Sequence, residues 1–348
     1  MITDFAHKMR KGKHFGGYLN SNFSIPNILK NRCIHVYFLQ IILYNDIRKY
    51  HLHFLLCDKI FWKGSQTMKK IALINDLSGF GKCSLAAAIP VISVLGIQAC
   101  PLPTAILSAQ TGFQSYFYDD YTDKMNCFTD EWEKMHVRFD GIYSGFLGSA
   151  AQMHNVLYFL EKFQTADTLY LADPVMGDNG ERIRIFTQEL LDGMKELTKR
   201  AGVITPNLTE LCLLADTDYE RLTTHCASDA YVSYIEDIAR SLMQRAYGSQ
   251  TVIVTGIIRR LPEQDYMGNL AVTPDCAFYI EMPYTGKNFS GTGDLTASVI
   301  AGSMVGGLDA KEALKKAVRF LRPAIEEASR DNIPGVHGIS FEKYLHLL

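Results

Sequence analysis

From Met68 onward the chain alternates short apolar runs with longer amphipathic stretches, and that alternation limits its architecture more than any other feature. The run Met68-Lys-Lys-Ile-Ala-Leu-Ile opens it. An apolar run without polar alternation reads as a strand buried on both faces, as in a parallel sheet. Strands are predicted at Lys70–Asn75, Gln98–Leu102, Gly141–Ser144, Thr168–Asp173, Val203–Thr205 and Thr251–Thr255. Helical patterns at Ala150–Phe163, Gln188–Arg200 and Ile235–Tyr247 fall between them. This βαβα order predicts an α/β fold, a three-layer α/β/α sandwich with a central, mostly parallel sheet. Leu270–Thr273 and Phe278–Pro283 then read as an antiparallel pair, followed by helices at Asp294–Val305 and Asp309–Arg330.

Composition matters chiefly where it breaks. The 348 residues carry a net charge of −2, but residues 1–67 hold ten Lys/Arg, three Asp and no Glu, and the rest 25 Lys/Arg against 34 Asp/Glu. The basic charges of the head are scattered among Phe, Tyr, Leu and Ile, unlike a nucleic-acid arm. It also lacks the compact apolar core and cleavage site of a targeting peptide. Lys63-Gly64-Ser65 would be encoded by purine-rich codons at about the distance of a bacterial ribosome-binding site from Met68. The expectation is that residues 1–67 are a non-native or disordered extension and that 68–348 form one catalytic domain. The eight cysteines contain no CxxC pair, which reads as reduced thiols in a cytoplasmic protein. The longest apolar run, Ile34 to Tyr44, falls short of the roughly 18 residues of a membrane span. Neither a nucleic-acid nor a membrane partner is expected.

Two phosphate-loop look-alikes fail. Ser78-Gly79-Phe80-Gly81-Lys82-Cys83-Ser84 has Asp76 where a P-loop needs its first glycine and Cys83 where it needs Ser or Thr. Gly291-Thr292-Gly293-Asp294-Leu295-Thr296 misses GxGxxG and lies late in the chain.

Three segments carry chemistry. Asn288-Phe289-Ser290-Gly291-Thr292-Gly293-Asp294 runs into an apolar helix, so its small residues open a helix N-terminus with free N–H groups suited to a phosphate. Asp294 is placed to take a proton from an attacking hydroxyl, or is an ordinary N-cap. Thr205-Pro206-Asn207-Leu208-Thr209-Glu210 follows a strand; Glu210 could serve Mg²⁺ through water, or form a capping box with Asn207. Leu171-Ala172-Asp173-Pro174-Val175-Met176-Gly177-Asp178 ends a strand in an acid, where α/β ligands bind, and then turns at a proline.

In this order, DPVMGD, TPNLTE and GTGD resemble the ribokinase-like superfamily of small-molecule kinases, and within it the pyridoxal kinase family. Tyr143-Ser144-Gly145-Phe146-Leu147-Gly148-Ser149-Ala150 is similar to that family's SGYLGSA segment. Pro101-Leu102-Pro103-Thr104 with Leu107-Ser108-Ala109-Gln110-Thr111-Gly112-Phe113 resembles its PLNTVQFSNHT stretch, and the likeness runs from residue 69 to about 330.

The resemblance implies an ATP-dependent kinase that phosphorylates the 5′-hydroxymethyl of pyridoxal, pyridoxine or pyridoxamine. It implies Asp294 as general base and Gly291, Thr292 and Gly293 as the anion hole. Asp173, Thr205, Asn207, Glu210 and Thr255 would surround the nucleotide, with Asp173 and Glu210 serving Mg²⁺. Asp76 and Thr111 would face the pyridine ring. Members often use a monovalent cation such as K⁺ and commonly form homodimers. Two departures stand out: Asp76 replaces the usual serine, and Leu107-Ser108-Ala109-Gln110 replaces FSNH. Asn75-Asp76-Leu77-Ser78-Gly79 also resembles the SDxSGG start of hydroxymethylpyrimidine kinases, although that sister group typically ends its anion loop in GTGC. The rivals are therefore a hydroxymethylpyrimidine kinase and a non-catalytic vitamer-binding protein on the same fold. The latter would need neither Asp294 nor Glu210. A sugar kinase would carry a lid insertion after the first strand, and no counterpart is found.

Overall fold

The first strand sets the layers. In the computed structural model, which describes residues 68–348, Ile71, Ala72, Leu73 and Ile74 are all buried. Ile71 and Leu73 enter one hydrophobic cluster and Ala72 and Ile74 another, because successive side chains of a strand point to opposite faces.

In chain order the elements are β1 (Lys70–Ser78), α1 (Ser84–Val94), β2 (Gln98–Leu107), β3 (Tyr118–Asp120), α2 (Thr122–Lys134), β4 (Gly141–Ser144) and α3 (Ala150–Phe163). Next come β5 (Leu169–Ala172), a hairpin of β6 (Gly177–Asp178) and β7 (Glu181–Arg182), α4 (Gln188–Arg200), β8 (Val203–Ile204), α5 (Leu208–Ala215), α6 (Tyr219–Thr223) and α7 (Tyr231–Met243). The chain continues through β9 (Thr251–Arg260), β10 (Asp265–Val272), β11 (Ala277–Pro283), α8 (Thr292–Val305) and α9 (Ala310–Arg330), and ends in two short 3₁₀ turns. Nine strands form one sheet in the order β11-β10-β9-β8-β5-β4-β1-β2-β3. From β2 to β9 the pairing is parallel; β3, β10 and β11 add antiparallel edges.

Helices α1, α8 and α9 cover one face, with Leu85, Ile92, Ala297, Ile300 and Leu314 against Ile71 and Leu73. On the other, Met153, Phe159, Leu190, Leu211 and Ile235 pack against Ala72 and Ile74. Helix α8 is buried along most of its length, with Leu295 and Val299 packed toward Phe320 and Ala324 of α9. The predicted three-layer sandwich is the observed architecture. After β1 the chain builds β2 on one side and later β4 on the other. The strand order therefore reverses at β1, and a crevice opens beyond the C-terminal ends of β1 and β4.

Local boundaries differ from expectation in instructive ways. β1, β2 and β9 run past their predicted ends because sheet pairing continues beyond the turn-like residues Asp76, Pro103 and Gly256. α7 starts at Tyr231 rather than Ile235, with Tyr231 fully buried in its first turn. The β6–β7 hairpin and short strand β3 had no periodic signal to announce them. Cysteines 83, 100, 127, 212, 226 and 276 are all free thiols. Among the described residues no helix is long and apolar enough to cross a membrane. The expectations for residues 1–67 lie outside the described residues.

Candidate active site

Four loops at the C-terminal edge of the sheet converge, each positioned by a strand end. The last in sequence is the best defined. Gly291 is the N-cap of α8, with φ of 83°, and a Cβ there would lie 1.8 Å from the Lys82 carbonyl oxygen. Only glycine fits both demands. Thr292, Gly293 and Asp294 form the first turn, where N–H groups lack intrahelical partners and point outward as an anion cradle. The Thr292 hydroxyl donates to the Phe289 carbonyl at 2.9 Å, holding the loop. Asp294 is thus the third residue of the helix and not its cap, which removes the N-cap explanation for an acid at this position.

The Asp294 carboxylate accepts from Asn75 Nδ2 at 3.1 Å, and the Ser84 backbone N–H and the Tyr143 hydroxyl lie beside it. Burial pushes its carboxyl up to about 6, and the nearby charge of Asp76 adds to the rise. A carboxyl in that range is ionised at neutral pH yet basic enough to accept a proton.

Asp173 follows β5 and is buried; its Oδ1 accepts from the Thr205 hydroxyl at 2.8 Å. Burial, and after it the charge of Asp294, raise its carboxyl above the ordinary range. Glu210 is likewise raised well above its ordinary range, by burial and then by the charge of Asp173. Asn207 and Glu210 form a complete capping box: Asn207 Oδ1 accepts from Glu210 N at 3.0 Å, and Glu210 Oε2 from Asn207 N at 2.9 Å. Glu210 Oε1 accepts a further N–H, from Met176 at 3.1 Å. Each oxygen retains a second lone pair, so capping and a water-mediated metal role are compatible. Asn207 Nδ2 donates to the Gly177 carbonyl at 2.8 Å, and Thr255 N to that of Pro206 at 2.9 Å, which draws β9 and the hairpin to the same rim.

These pieces line one cavity of about 850 Å³: Asp173, Thr205, Asn207, Glu210 and Thr255 on one side, Gly291 to Asp294 on another. Arg182, Arg260 and Lys287 also border it and supply positive charge for a phosphate chain. Asp76 and Thr111 do not line it. Asp76 is buried, with Oδ2 accepting from Ser78 Oγ at 2.8 Å and Oδ1 from Ser84 Oγ at 2.6 Å. Thr111 is exposed in the turn after β2.

Sequence reasoning missed three contributors. From sequence, Asn75 is only the end of a predicted strand and the first residue of the SDxSGG-like Asn75–Gly79 segment, with no role of its own. Gly145 was read only as part of a similar segment, yet a Cβ there would meet Asn75 Nδ2 at 2.3 Å. Gln110, a departure from the family pattern, ties three loops: its Nε2 donates to the Val336 carbonyl at 3.0 Å and to Ser290 Oγ at 3.3 Å, and its Oε1 accepts from Gly112 N at 2.7 Å. Gln110 had a signal in that departure and Asn75 in its place in the Asn75–Gly79 segment.

Known proteins match this architecture closely. The family model for phosphomethylpyrimidine kinase matches residues 79–337. The pyridoxal kinase PdxY of Leifsonia xyli subsp. xyli is 26% identical over 274 residues, covering 75% of this chain and 92% of the relative. A Bacteroides thetaiotaomicron protein assigned as a phosphomethylpyrimidine kinase superimposes with a TM-score of 0.74 at 36% identity, over 82% of this chain and 95% of that one. Its orthorhombic crystal form was solved with pyridoxal. The pyridoxal kinase of Lactobacillus plantarum gives a TM-score of 0.71 at 26% identity, over 80% and 96%. The chain therefore belongs to the phosphomethylpyrimidine kinase family and stands beside the pyridoxal kinases as a kinase of the ribokinase-like superfamily.

Proposed function

We propose that the protein is an ATP-dependent kinase that phosphorylates the 5′-hydroxymethyl group of B6 vitamers, forming pyridoxal 5′-phosphate or its analogues for vitamin salvage. The observation that carries this reading is Asp294: a desolvated carboxylate in the first turn of α8, beside an N–H cradle that only Gly291 permits, at the edge of a cavity large enough for a nucleotide. A vitamer-binding module would need neither the cradle nor a base. Asp294 takes the proton of the attacking hydroxymethyl group. The backbone N–H groups along Gly291, Thr292 and Gly293, with that of Asp294, hold the phosphoryl oxygens as charge moves onto the leaving phosphate. Positioning of this kind, in place of covalent work by the protein, supplies most of the rate.

Mg²⁺ fits the donors present. Asp173 and Glu210 are hard oxygen ligands, buried without a cationic side chain bonded to either among the described residues. No group of three or more His, Cys, Asp or Glu side chains there is arranged to hold a metal alone, which matches an ion that takes few carboxylates and completes its shell with phosphate oxygens and water. Bound there, Mg²⁺ would offset the phosphate charge that Asp173 and Glu210 otherwise oppose.

A second reading, hydroxymethylpyrimidine kinase, draws on the matching family model and on Asp76 in the Asn75–Gly79 start. The pyridoxal-bound Bacteroides relative and the curated pyridoxal kinases favour the vitamer reading. An ATP-consumption assay against pyridoxal, pyridoxine, pyridoxamine and hydroxymethylpyrimidine separates them. Turnover of the vitamers above the pyrimidine is expected, and the reverse order would overturn the substrate assignment.

A further inference from the structure

Taking the kinase reading as its basis, we infer that Asn75 is a positioning residue for phosphoryl transfer: it orients the Asp294 carboxylate and locks it to the backbone of β1 and to the loop that follows β4.

Asn75 is 1% exposed and sits at the end of the apolar run of β1, a costly place for an amide unless its polar atoms are paired. They are paired in one orientation only. Its Oδ1 accepts from Asp76 N and from Phe146 N, both at 2.9 Å. Two backbone N–H groups converging on one atom require that atom to be the oxygen, so the amide cannot flip and Nδ2 must face Asp294. Among the described residues it is the only side-chain N–H bonded to that carboxylate.

Two backbone features exist to make room for it. The β1–β2 register shifts between Asn75 and Leu77, a bulge of the kind that re-aims side chains beside active sites. Across the crevice, a Cβ on residue 145 would approach Asn75 Nδ2 to 2.3 Å and Cγ to 2.7 Å, so β4 must be followed by glycine. Asn75 and Gly145 thus form a matched pair that fixes the direction from which the base is held. A residue that merely satisfied the end of a strand would need neither device.

Other groups face Asp294 as well. Asp76 on β1 and Asp173 after β5 bring negative charge, and Ser84 at the start of α1 brings a backbone N–H. Tyr143 on β4 brings a buried hydroxyl that lies beside Asp294 and Ser298. Asn75 is distinguished by joining the base to the backbone of β1 and to the loop after β4 at once.

The test is steady-state kinetics on the full chain with MgATP and pyridoxal, for Asn75→Ala, Asn75→Asp and Gly145→Ala. For Asn75→Ala, kcat is expected to fall on the order of 10–100-fold, the cost of a misplaced catalytic group, while KM for ATP stays within about twofold. Asn75→Asp should lose more, because it sets a second carboxylate against Asp294. In both, the acid limb of kcat should move to higher pH, since a carboxylate deprived of its N–H donor holds its proton more tightly. Gly145→Ala should lower kcat with the asparagine intact, and the double variant Asn75→Ala/Gly145→Ala should be no worse than the poorer single, because both act on one contact. Thermal unfolding and ATP-binding stoichiometry separate a lost active fraction from a lost rate. If kcat of Asn75→Ala stays within about threefold of wild type, or falls only in step with the folded fraction, the inference is overturned. Failure of the wild-type chain to phosphorylate any vitamer would instead overturn the kinase reading, so the two failures are distinct.

Discussion

The two ends of the crevice treat their acids differently. Beyond β5 and at the head of α8, Asp173 and Asp294 border the large cavity, and the Oδ2 of Asp173 meets no hydrogen-bond donor among the described residues. Near the end of β1, Asp76 is as deeply buried as Asp173, but each of its oxygens accepts from a neighbouring serine hydroxyl, and the cavity does not reach it. Desolvation raises all three carboxyls. What differs is who compensates. Local hydroxyls offset the burial of Asp76, whereas much of the compensation for Asp173 has to arrive with a ligand. An acid left short of partners in a cavity is the better candidate for chemistry than an equally buried acid whose oxygens both hold a donor away from that cavity.

Asp294→Asn should have the largest effect. Removing the base is expected to lower kcat on the order of 10²–10⁴ while ATP binding persists. The same substitution should stabilise the ligand-free protein above neutrality. A carboxyl raised from 3.8 to about 6 by folding binds its proton more tightly in the native state, so stability falls as pH rises through that window and stays lower above it. Asparagine removes that loss. Melting temperatures should show a gain of a few degrees at pH 8 that shrinks toward pH 4, and wild-type kcat should show an acid limb near pH 6. Near-wild-type kcat in this variant would falsify the assignment of Asp294 as the base.

Asp173→Asn is the next largest. The substitution keeps an Oδ1 for the Thr205 hydroxyl, so stability should hold, while the Mg²⁺ concentration for half-activity rises about tenfold or more. Glu210→Gln makes the contrast. Both Glu210 oxygens accept backbone N–H groups, and an amide must turn its NH₂ against one of them. That variant should lose thermal stability with a smaller change in metal requirement. If the two profiles were exchanged, Glu210 would be the principal metal ligand and Asp173 the structural acid.

The same contrast explains what could be read from sequence. The parallel strands and the Gly291–Asp294 loop are local patterns, each visible within a few residues. The Asn207–Glu210 capping box is another: spacing alone suggested it, and the structure forms it. Asn75 is different in kind. Its meaning comes from Asp294, 219 residues away, and from a backbone approach at Gly145 that no periodicity encodes. The β1–α1 end of the crevice was harder to read for the same reason. Whether Asp76 faces a ligand or its own loop depends on where Ser84 turns, and Ser84 adopts a positive φ of 52° that side-chain patterns do not signal.

The smallest expected effect belongs to Asp76→Ser, and it probes the self-satisfied end directly. An ammonium at the 4′ position of pyridoxamine would favour a carboxylate facing the ring, and the substitution would then selectively weaken that vitamer. The geometry favours the other outcome. Ser78 and Ser84 occupy both oxygens of Asp76, and Lys82, the loop's nearest candidate counter-ion, pairs with Glu342 at 2.8 Å instead. Serine at position 76 would release those two hydroxyls and loosen the start of α1, where the Ser84 N–H also reaches Asp294. The expected result is a loss in kcat/KM of roughly two- to fivefold, the scale of about one neutral hydrogen bond or less, shared alike by pyridoxal, pyridoxine and pyridoxamine. A pyridoxamine preference in the wild type that collapses in Asp76→Ser would instead place this carboxylate against the ring, and the two ends of the crevice would then differ in which ligand they await, not in whether they await one.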